Sequence, residues 1–571
     1  MCAIFCSLAR HAFAAPDAAT RELLHHRGPD SSGHHQLVLH APAPAPDHTA
    51  PKLHATFLST VLSLRGPAVV AQPLRDAATH SLLCWNGEAW RMGHVPVSGN
   101  DALLVLHQLV AASSAHDHVH LAINAVVHAL STIRGPYAFV FYDASHQLLY
   151  YGRDCLGRRS LLRKSTPDDA LILSSVCDHA SGGSWAEVDA DGIYVVHLKS
   201  ALTGALASST THVPHQPSYQ TAHDDLFYPL PFPALNRDTP EDAVFEPDFV
   251  DRLQHSLQNA VRLRTQHVRE AVPPSSPIEH GPVNIAVLFS GGLDCTLLAR
   301  LCHDLIPLGE SIDLLNVAFE NPRIHSKLEP GTSPYELCPD RITGRASFAE
   351  LLQVCPGRQW RFVAVNVPYT ETVAHRSQVM ALMHPHKTEM DLSISYALYF
   401  ASRGAGVVDS LSQDEPAPYT SRAHVLISGL GADELFGGYQ RHATAFARQG
   451  YPGLFDELQL DFNRLGKRNL GRDDRVISDS GKEVRFPFLD EGFIALALRV
   501  PVTTKCDFGS PKVEGSEDPS HFLEPAKRAL RVMAWRLGMK KVAAEKKRAI
   551  QFGARTAKME TGSTKGTHVL V

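Results

Sequence analysis

One stretch of the chain constrains its fold more than any other. An apolar segment, NIAVLFS at residues 284–290, runs directly into the glycine pair Gly291 and Gly292 and then into a helical pattern that begins near Leu293. Glycine lets the backbone approach an anion closely, and the N-terminus of a helix presents oriented N–H groups and a positive dipole end. The arrangement predicts a phosphate-binding loop, although it lacks the GxxxxGK[ST] pattern of a Walker-type loop.

The second half of the chain alternates single apolar strands with helical patterns. Further apolar runs occupy residues 312–319, 361–367 and 424–429. Such alternation predicts an α/β domain in which helices cover a parallel sheet. Sheets of this kind bind ligands at the carboxyl ends of their strands. We therefore expect Asp294 and Asp433 at adjacent strand ends, where paired carboxylates suit a Mg²⁺ ion that holds a polyphosphate.

The first half of the chain has a different pattern. Residues 1–205 contain short runs rich in β-branched and aromatic residues, such as LLCWNGEAW and YAFVFYD, with two segments at helical spacing. This pattern predicts an α+β domain of stacked antiparallel sheets. Residues 206–245 lack periodicity and indicate a linker, which leaves residues 246–571 as the second domain. Proline-rich stretches at residues 41–51 and 270–282 are predicted interruptions, because proline removes the N–H group that helices and sheets need.

Composition excludes several classes of protein. A net charge of −5 argues against a nucleic-acid-binding protein, which normally carries a basic excess. No apolar run reaches the roughly 18 residues that a membrane helix needs, and no basic residue precedes the apolar N-terminus as in a secretory signal. The ten cysteines form no CxxC pair, which fits neither a disulfide scaffold nor a typical zinc module. We expect a reduced, cytoplasmic protein without nucleic-acid or membrane partners.

Cys2 becomes the terminal residue if Met1 is removed. A terminal cysteine is chemically special, because its own α-amino group, with a reference pKa of about 8, can act as the base for its thiol. The thiolate can attack the side-chain amide of glutamine, which gives a thioester and releases ammonia. A cysteine at position 2 is a weak signal alone, and it gains weight from the motifs that follow.

Four motifs follow Cys2 in order: HRGPD at residues 26–30, WNGE at 85–88, GND at 99–101 and GRDCLGRRSLL at 152–162. Together they resemble the class II glutamine amidotransferase domain of the asparagine synthetase family. The resemblance implies an Ntn-hydrolase-like αββα fold with glutamine as the substrate.

The resemblance also implies residue roles. Cys2 is the implied nucleophile, Asn86 and Gly87 the oxyanion hole, and Asp101 the partner of the glutamine α-amino group. Preorganised donors of this kind contribute about 3 kcal/mol to transition-state stabilisation. The family arginine that grips the glutamine α-carboxylate has no counterpart at its usual spacing, and Arg65, four residues further on, is the predicted substitute. Without Cys2, an Asn-Gly pair would indicate a hairpin turn.

Two signatures in the second half resemble the ATP-pyrophosphatase domain of the same family. The first is SGGLDC at residues 290–295, and the second is SGLGADELFGGY at residues 428–439, where the family has SGEGADE. The resemblance implies a PP-loop fold of the adenine nucleotide alpha hydrolase type with ATP and Mg²⁺ as cofactors. The predicted metal ligands are Asp294 and Asp433. The predicted ATP-binding residues are Ser290, Gly291, Gly292, Leu293, Asp294, Cys295, Ser428, Gly429 and Lys547.

Three positions depart from the family pattern at the synthetase site. Leu430 stands where the family has the acid needed for aspartate adenylation, and leucine can neither bind a metal nor pair with a cation. Ser393 stands where an arginine is expected to meet the aspartate carboxylate. Ala549 replaces a lysine, for which Lys547 and Arg548 are close enough to substitute. We therefore expect nucleotide binding to be retained and aspartate activation to be impaired.

The leading hypothesis is a glutamine-hydrolysing, ATP-dependent ligase of the asparagine synthetase type, which serves asparagine biosynthesis by resemblance. Ammonia from glutamine would pass through an internal tunnel to an adenylated carboxylate acceptor, aspartate in the family. Two alternatives stay open: a catalytically degenerate nucleotide-binding protein and an amidotransferase with a different acceptor. A homodimer is compatible with each of them. Further strings, among them RNLGRDDRV and KRAIQFGARTAKME, extend the resemblance over most of the chain and indicate a eukaryotic branch.

Overall fold

The chain divides into two compact units in the computed structural model. The first unit comprises Met1–Pro231, Met380–His386 and Leu465–Gly481, and the second comprises Phe232–Val379, Lys387–Arg464 and Lys482–Val571. The described residues are 2–40, 51–178, 184–215, 232–238, 247–266, 268, 282–409, 416–510, 513, 516–559 and 566–570. Much of the predicted linker and of the two proline-rich stretches, at residues 41–50, 216–231, 239–246 and 269–281, lies outside them.

The first unit is built on two six-stranded antiparallel sheets, as predicted. Its strands are β1 (Ala3–Ala9), β2 (Ser31–His40), β3 (Lys52–Val61), β4 (Leu74–Arg75), β5 (Leu82–Gly87), β6 (Arg91–Met92), β7 (Val95–Pro96), β8 (Ile133–Arg134), β9 (Tyr137–Asp143), β10 (Leu148–Arg153), β11 (Leu162–Ser165), β12 (Leu171–Ser174), β13 (Ala186–Glu187), β14 (Gly192–His197) and β15 (Thr210–Pro214). The sheet orders are β13-β11-β12-β1-β3-β2 and β15-β14-β10-β9-β5-β4, and β7-β6-β8 form a small third sheet.

The helices of the first unit are α1 (Ala18–Arg27), α2 (Asp101–Ser114), α3 (Val119–Ser131), α4 (Leu198–Thr203) and, from much later in the chain, α14 (Leu470–Ser478). Alternation along the strands decides which layer each side chain joins. In β9, Ala138 and Val140 join the core between the two sheets. Phe139 and Phe141 point the other way and join the core formed with α2 and α3. This alternation places one hydrophobic core between the two sheets and a second between the sheet of β9 and helices α2 and α3.

The second unit contains one seven-stranded sheet of order β20-β19-β18-β17-β16-β21-β22. The strands are β16 (Ile285–Leu288), β17 (Ile312–Phe319), β18 (Trp360–Val367), β19 (Ala405–Val408), β20 (Ala417–Thr420), β21 (Val425–Ile427) and β22 (Glu483–Arg485). The five neighbouring strands β18-β17-β16-β21-β22 are parallel, as predicted. Strand β19 pairs antiparallel with both β18 and the edge strand β20, so the sheet as a whole is mixed.

Helices accompany the strands of the second unit. The remaining helices are α5 (Pro247–Thr265), α6 (Leu293–Leu305), α7 (Pro322–His325), α8 (Pro339–Val354), α9 (Tyr369–Ala374), α10 (Arg376–Met383), α11 (Glu389–Arg403), α12 (Ala432–Phe436), α13 (Gln440–Arg468), α15 (Glu491–Arg499), α16 (Val502–Lys505), α17 (Pro519–Phe522), α18 (Arg528–Arg536), α19 (Lys540–Ala544) and α20 (Ile550–Gly553), with a 3₁₀ turn at Pro487–Leu489. No helix within the described ranges is long and apolar enough to cross a membrane.

Candidate active sites

Cys2 lies at the start of a central strand of the first sheet. β1 begins at the next residue and pairs with β3 on one side and β12 on the other. The Ile4 N–H donates to Ser175 Oγ at 3.0 Å, which anchors the beginning of the strand. The Cys2 side chain is half-buried, and its Sγ lies 3.9 Å from the Leu62 carbonyl oxygen. The sheet therefore holds the main chain of Cys2 while its thiol stays partly accessible.

Two buried side chains contact the main chain of Cys2. Arg27 Nε donates to the Cys2 carbonyl oxygen at 3.4 Å. When the Asn86 amide is oriented to satisfy its neighbours, its nitrogen donates to the same oxygen at 3.0 Å and its oxygen accepts from Arg27 Nη2 at 3.3 Å. The structure therefore places the amide of Asn86, the predicted oxyanion donor, against the main chain of the predicted nucleophile.

The Asn86-Gly87 pair does not form a hairpin turn. Both residues belong to β5 and pair with Ala138 and Tyr137 of β9. A Cβ atom on Gly87 would lie 2.6 Å from the Pro136 carbonyl oxygen, so the strands approach too closely there for any side chain. The interpretation as a turn is wrong because cross-strand pairing, and not local turn chemistry, fixes this segment.

Arg65 and Asp101, the predicted glutamine contacts, converge on one main-chain residue. Arg65 Nη1 donates to the Ala89 carbonyl oxygen at 2.8 Å, and Asp101 Oδ2 accepts from the Ala89 N–H at 2.8 Å. Asp101 also accepts from Trp85 Nε1 at 3.1 Å. Burial raises the pKa of Asp101, and the charge of Arg65 opposes that shift. The structure thus brings the two predicted glutamine contacts together, with both side chains buried and bonded to the main chain of Ala89.

The phosphate loop follows β16 as predicted. Gly291 has a φ of 81°, in the left-handed region, and a Cβ atom there would lie 2.4 Å from the Gly344 nitrogen of α8. Ser347 Oγ donates to the Gly291 carbonyl oxygen at 2.6 Å. Gly292 precedes α6 with an extended backbone, and it lines a pocket. Gly291 is therefore needed for the packing of the loop, whereas Gly292 keeps the ligand side of the loop open.

The loops after β16 and β21 meet because these strands are neighbours in the sheet. A Cβ atom on Gly429 would lie 2.8 Å from Asp294 Cβ, so the two signatures are in contact. Ser428 Oγ accepts from the Leu430 N–H at 3.3 Å. Cys295 is buried beneath the loop, and its Sγ lies 3.3 Å from the Gly292 carbonyl oxygen. The prediction that Asp294 and Asp433 follow adjacent strand ends is confirmed.

A single ammonium group joins these two carboxylates. Lys527 Nζ lies 2.6 Å from Asp294 Oδ2 and 2.7 Å from Asp433 Oδ1. Lys547 Nζ lies 2.5 Å from the other oxygen of Asp433. Burial alone would favour the neutral acid, but the two ammonium groups hold the pKa of Asp433 well below its usual range. Both aspartates and both lysines therefore form one charged cluster beside the phosphate loop.

The pocket next to this cluster opens to solvent and is lined mainly by charged side chains. Its lining includes the predicted residues Ser290, Gly292, Leu293, Asp294 and Lys547, and it adds Asp340, Thr343, Lys527, Arg531, Glu545, Lys546 and Arg548. The other predicted residues, Gly291, Cys295, Ser428, Gly429 and Asp433, are not among the described residues that line it. Two of the added cations, Lys527 and Arg531, come from the string KRALR, whose spacing of four residues at a helix start was the available sequence signal.

Asp340 is the buried acid of this pocket. It lies at the beginning of α8 and is 5% exposed, and its Oδ1 is 3.8 Å from Arg548 Nη1. Burial raises the pKa of Asp340 to about 7, and the nearby cations Arg548 and Lys547 oppose the shift. This carboxyl group therefore changes its charge near neutral pH.

The residues of the pocket fit a magnesium–polyphosphate ligand. The Oδ1 atom of Asp294 is buried and accepts no hydrogen bond, which leaves a hard oxygen for a cation. Both oxygens of Asp433 already face ammonium groups. No group of three or more metal-ligating side chains occurs among the described residues, and Mg²⁺ is commonly held by one or two carboxylates together with substrate phosphates. Bound Mg²⁺ would neutralise part of the phosphate charge at Asp294.

Comparisons with known proteins cover both halves of the chain. A glutamine amidotransferase domain model matches residues 1–203, and an asparagine synthase model matches residues 447–565. Asparagine synthetase domain-containing protein 1 of Bos taurus is 34% identical over 95% of this chain and 93% of its own. The chain belongs to the asparagine synthetase domain-containing protein family.

Two further relatives show over how much of the chain the similarity extends. An asparagine synthetase domain-containing protein of Saccharomyces cerevisiae is 33% identical over 90% of this chain and 86% of its own. A putative glutamine-hydrolysing asparagine synthetase of Methanocaldococcus jannaschii is 47% identical over 14% of this chain and 15% of its own. Similarity to the asparagine synthetase domain-containing proteins thus extends over nearly the whole chain. The match to the putative synthetase of Methanocaldococcus jannaschii covers only a short segment.

Within this family member, the departures from the synthetase pattern have clear structural settings. Leu430 is half-buried in the loop after β21. It is not among the described residues that line the pocket beside the phosphate loop. Ser393 is 3% exposed within α11, where its Oγ donates to the Glu389 carbonyl oxygen at 2.9 Å. The hydroxyl is thus used by its own helix. Neither residue supplies a charge with which an aspartate substrate could pair.

Proposed function

We propose that this protein is a glutamine-hydrolysing, ATP-dependent amidotransferase of the asparagine synthetase type. The Cys2 thiolate attacks the carboxamide carbon of glutamine, the C–N bond breaks to release ammonia, and water then hydrolyses the thioester to glutamate. At the second site, a carboxylate attacks the α-phosphorus of ATP and pyrophosphate leaves. Ammonia attacks the acyl adenylate, AMP leaves, and the nitrogen loses a proton as the amide forms.

The observation that carries the proposal is the position of Lys527. Its ammonium group is bound by two signature aspartates, Asp294 and Asp433, in a pocket that contains four further cationic side chains. Negative charge develops on the leaving pyrophosphate as the α-phosphorus bond breaks, and preorganised cations stabilise such charge. A pocket of this composition supports cleavage of ATP to AMP and pyrophosphate more than a purely structural salt-bridge cluster.

A second function is favoured by Leu430 and Ser393. Neither brings a charge to the acceptor site, while the phosphate loop and the pocket cations are present. These residues support a nucleotide-binding protein that no longer makes asparagine, or an amidotransferase with an acceptor other than aspartate. A nucleotide-binding protein and an amidotransferase differ in one observable property: only the amidotransferase releases pyrophosphate from ATP.

Replacement of Lys527 by methionine tests the proposal. With MgATP, ammonia and a panel of carboxylate acceptors, the unmodified protein should release AMP and pyrophosphate, and Lys527→Met should reduce the release rate by at least about 100-fold. Lys541→Met, an exposed lysine on α19, is the matched control and should leave the rate unchanged. MgATP binding by the unmodified protein without pyrophosphate release from any acceptor would favour the nucleotide-binding alternative.

A further inference from the structure

Helix α14 belongs to the first unit although its sequence, LGRDDRVIS, lies in the second half of the chain. Every residue of this helix is buried. Four of its nine residues are charged, and burial of a charged side chain costs folding free energy unless that side chain is paired or hydrogen bonded. The partners of α14 therefore indicate what the helix is placed there to hold.

Two side chains of α14 bind Arg27. Asp474 Oδ2 accepts from Arg27 Nη2 at 2.8 Å, and Ser478 Oγ accepts from Arg27 Nη1 at 2.5 Å. Asp474 is 0% exposed and Arg27 is 1% exposed, so this ion pair is screened from water. Asp474 Oδ2 also accepts from the Ser160 N–H at 3.1 Å, which fixes the carboxylate itself. The guanidinium of Arg27 is thus held in one place by α14.

Arg27 in turn orients the Asn86 amide. A guanidinium group can only donate hydrogen bonds, so the side of the amide that faces Arg27 must be its oxygen. The amide nitrogen then faces Cys2, 3.0 Å from the Cys2 carbonyl oxygen. Arg27 Nε donates to that same carbonyl oxygen at 3.4 Å. The cation therefore fixes both the nucleophile main chain and the direction of the predicted oxyanion donor.

We propose that Asp474 is a positioning residue for glutamine hydrolysis, which acts through Arg27 to keep the Asn86 donor directed at Cys2. The inference rests on the proposed function at Cys2 and extends it, because it makes a helix from the synthetase half of the sequence part of the glutaminase machinery. Without the carboxylate, Arg27 loses its charge-assisted bond and the amide loses its fixed direction. The loss falls on the transition state, where the oxyanion forms, and not on glutamine binding.

Asp474→Asn tests this inference because it keeps the shape of the side chain and removes its charge. We expect kcat for glutamate release to fall about 10- to 100-fold, less than or equal to the loss for direct removal of an oxyanion donor, with KM for glutamine changed less than about twofold. Alkylation of Cys2 by iodoacetamide, which needs no oxyanion hole, should proceed at the unmodified rate. Asp479→Asn is the matched control, since Asp479 follows the same helix and binds His26 at 3.0 Å; its kcat should be unchanged.

Ser478→Ala provides a milder second variant if Asp474→Asn fails to fold. It removes one Arg27 contact and leaves the ion pair, so kcat should fall by a smaller factor with KM retained. Unchanged kcat in a folded Asp474→Asn or Ser478→Ala variant would overturn the inference alone. A parallel change in KM and in iodoacetamide reactivity would assign Asp474 a merely structural role and would also overturn it. Unmodified protein without glutaminase activity would overturn the proposed function together with the inference.

Discussion

The charged cluster around α14 and the pocket beside the phosphate loop differ in how far their charges are removed from water. In the first unit, Asp474 and Glu187 neutralise buried arginines, with ion pairs at 2.8 Å to Arg27 and at 2.6 and 3.1 Å to Arg475 and Arg153. In the second unit, five cationic side chains and three carboxylates line the pocket. The ion pairs of the first cluster are buried, with the side chains of Asp474, Arg27 and Arg475 at most 1% exposed. The pocket is open instead: the side chains of Lys547 and Arg548 are 31% and 38% exposed, and cationic side chains outnumber acidic ones in its lining, which suits an anionic ligand.

This difference shows how each cluster serves its site. A dry cluster of paired charges resists rearrangement, because removing one partner leaves a buried charge unpaired, and so it suits the positioning of a nucleophile. A cationic pocket with an acid that titrates near neutral pH suits a ligand that brings its own negative charge. Replacements in the two regions should therefore fail in different ways: those in the first should impair glutamine hydrolysis, and those in the second should impair the binding or cleavage of ATP.

Loss of the nucleophile should have the largest effect. Cys2→Ala should abolish glutamate release, because no other group in the proposal attacks the glutamine carboxamide. MgATP binding and any activity supported by added ammonia should be unchanged, since they depend on the second unit. Measurement of glutamate release and of nucleotide binding on the same protein checks both halves. Glutaminase activity retained by Cys2→Ala would remove the assignment of Cys2.

Addition of a side chain at Gly292 in the phosphate loop should have the next largest effect, in this case on nucleotide binding. Gly292→Val should weaken MgATP binding by at least tenfold, or about 1.4 kcal/mol, because the added side chain occupies the ligand side of the loop. Its position has an extended backbone, with Ser290 Oγ as the nearest contact of an added Cβ atom at 3.4 Å, so the thermal stability should change little. Gly309→Val is the matched control, because a Cβ atom there meets nothing within 4 Å. Equal affinities of the two variants for MgATP would contradict the placement of the nucleotide.

The last expected effect is on folding stability and not on activity, and it concerns Asp340. Its folded pKa of about 7 lies above the ordinary value of 3.8 for an aspartate side chain, so the folded protein holds this proton more tightly than the unfolded chain. The contribution of this tighter proton binding to the free energy of unfolding is fully present below about pH 4 and is lost as the pH rises to about 7. A pKa difference of about three units corresponds to about 4 kcal/mol as an upper bound. Asp340→Asn cannot ionise and should escape this loss.

Thermal unfolding of both proteins at pH 5 and pH 8 measures the effect. The melting temperature of Asp340→Asn relative to the unmodified protein should rise by a few degrees between the two pH values. A difference that stays constant with pH, or that falls, would contradict the burial of an ionisable carboxyl group at this position.

Local patterns predicted the parts of the sites that single segments build. The strand, glycine loop and helix from residue 284 to residue 305 were visible because their periodicity and composition are local. The contacts that complete the sites are not local: Lys527 meets Asp294 across 233 positions, and Arg27 meets Asp474 across 447. Strand β1 was not predicted as a strand, because AIFCSLA is buried on both faces and shows no alternation.

The most direct test of the account follows three products in one preparation of the unmodified protein. Glutamine, MgATP and aspartate are supplied together, and glutamate, pyrophosphate and asparagine are measured separately, with MgATP affinity determined alongside. The account predicts glutamate release that depends on Cys2, measurable MgATP binding, and asparagine formation at least about 100-fold below the usual enzyme range of about 1 to 1,000 per second. Absence of both glutamate release and MgATP binding would contradict the assignment of the two sites. Asparagine formation within the usual range would contradict the significance given to Leu430 and Ser393.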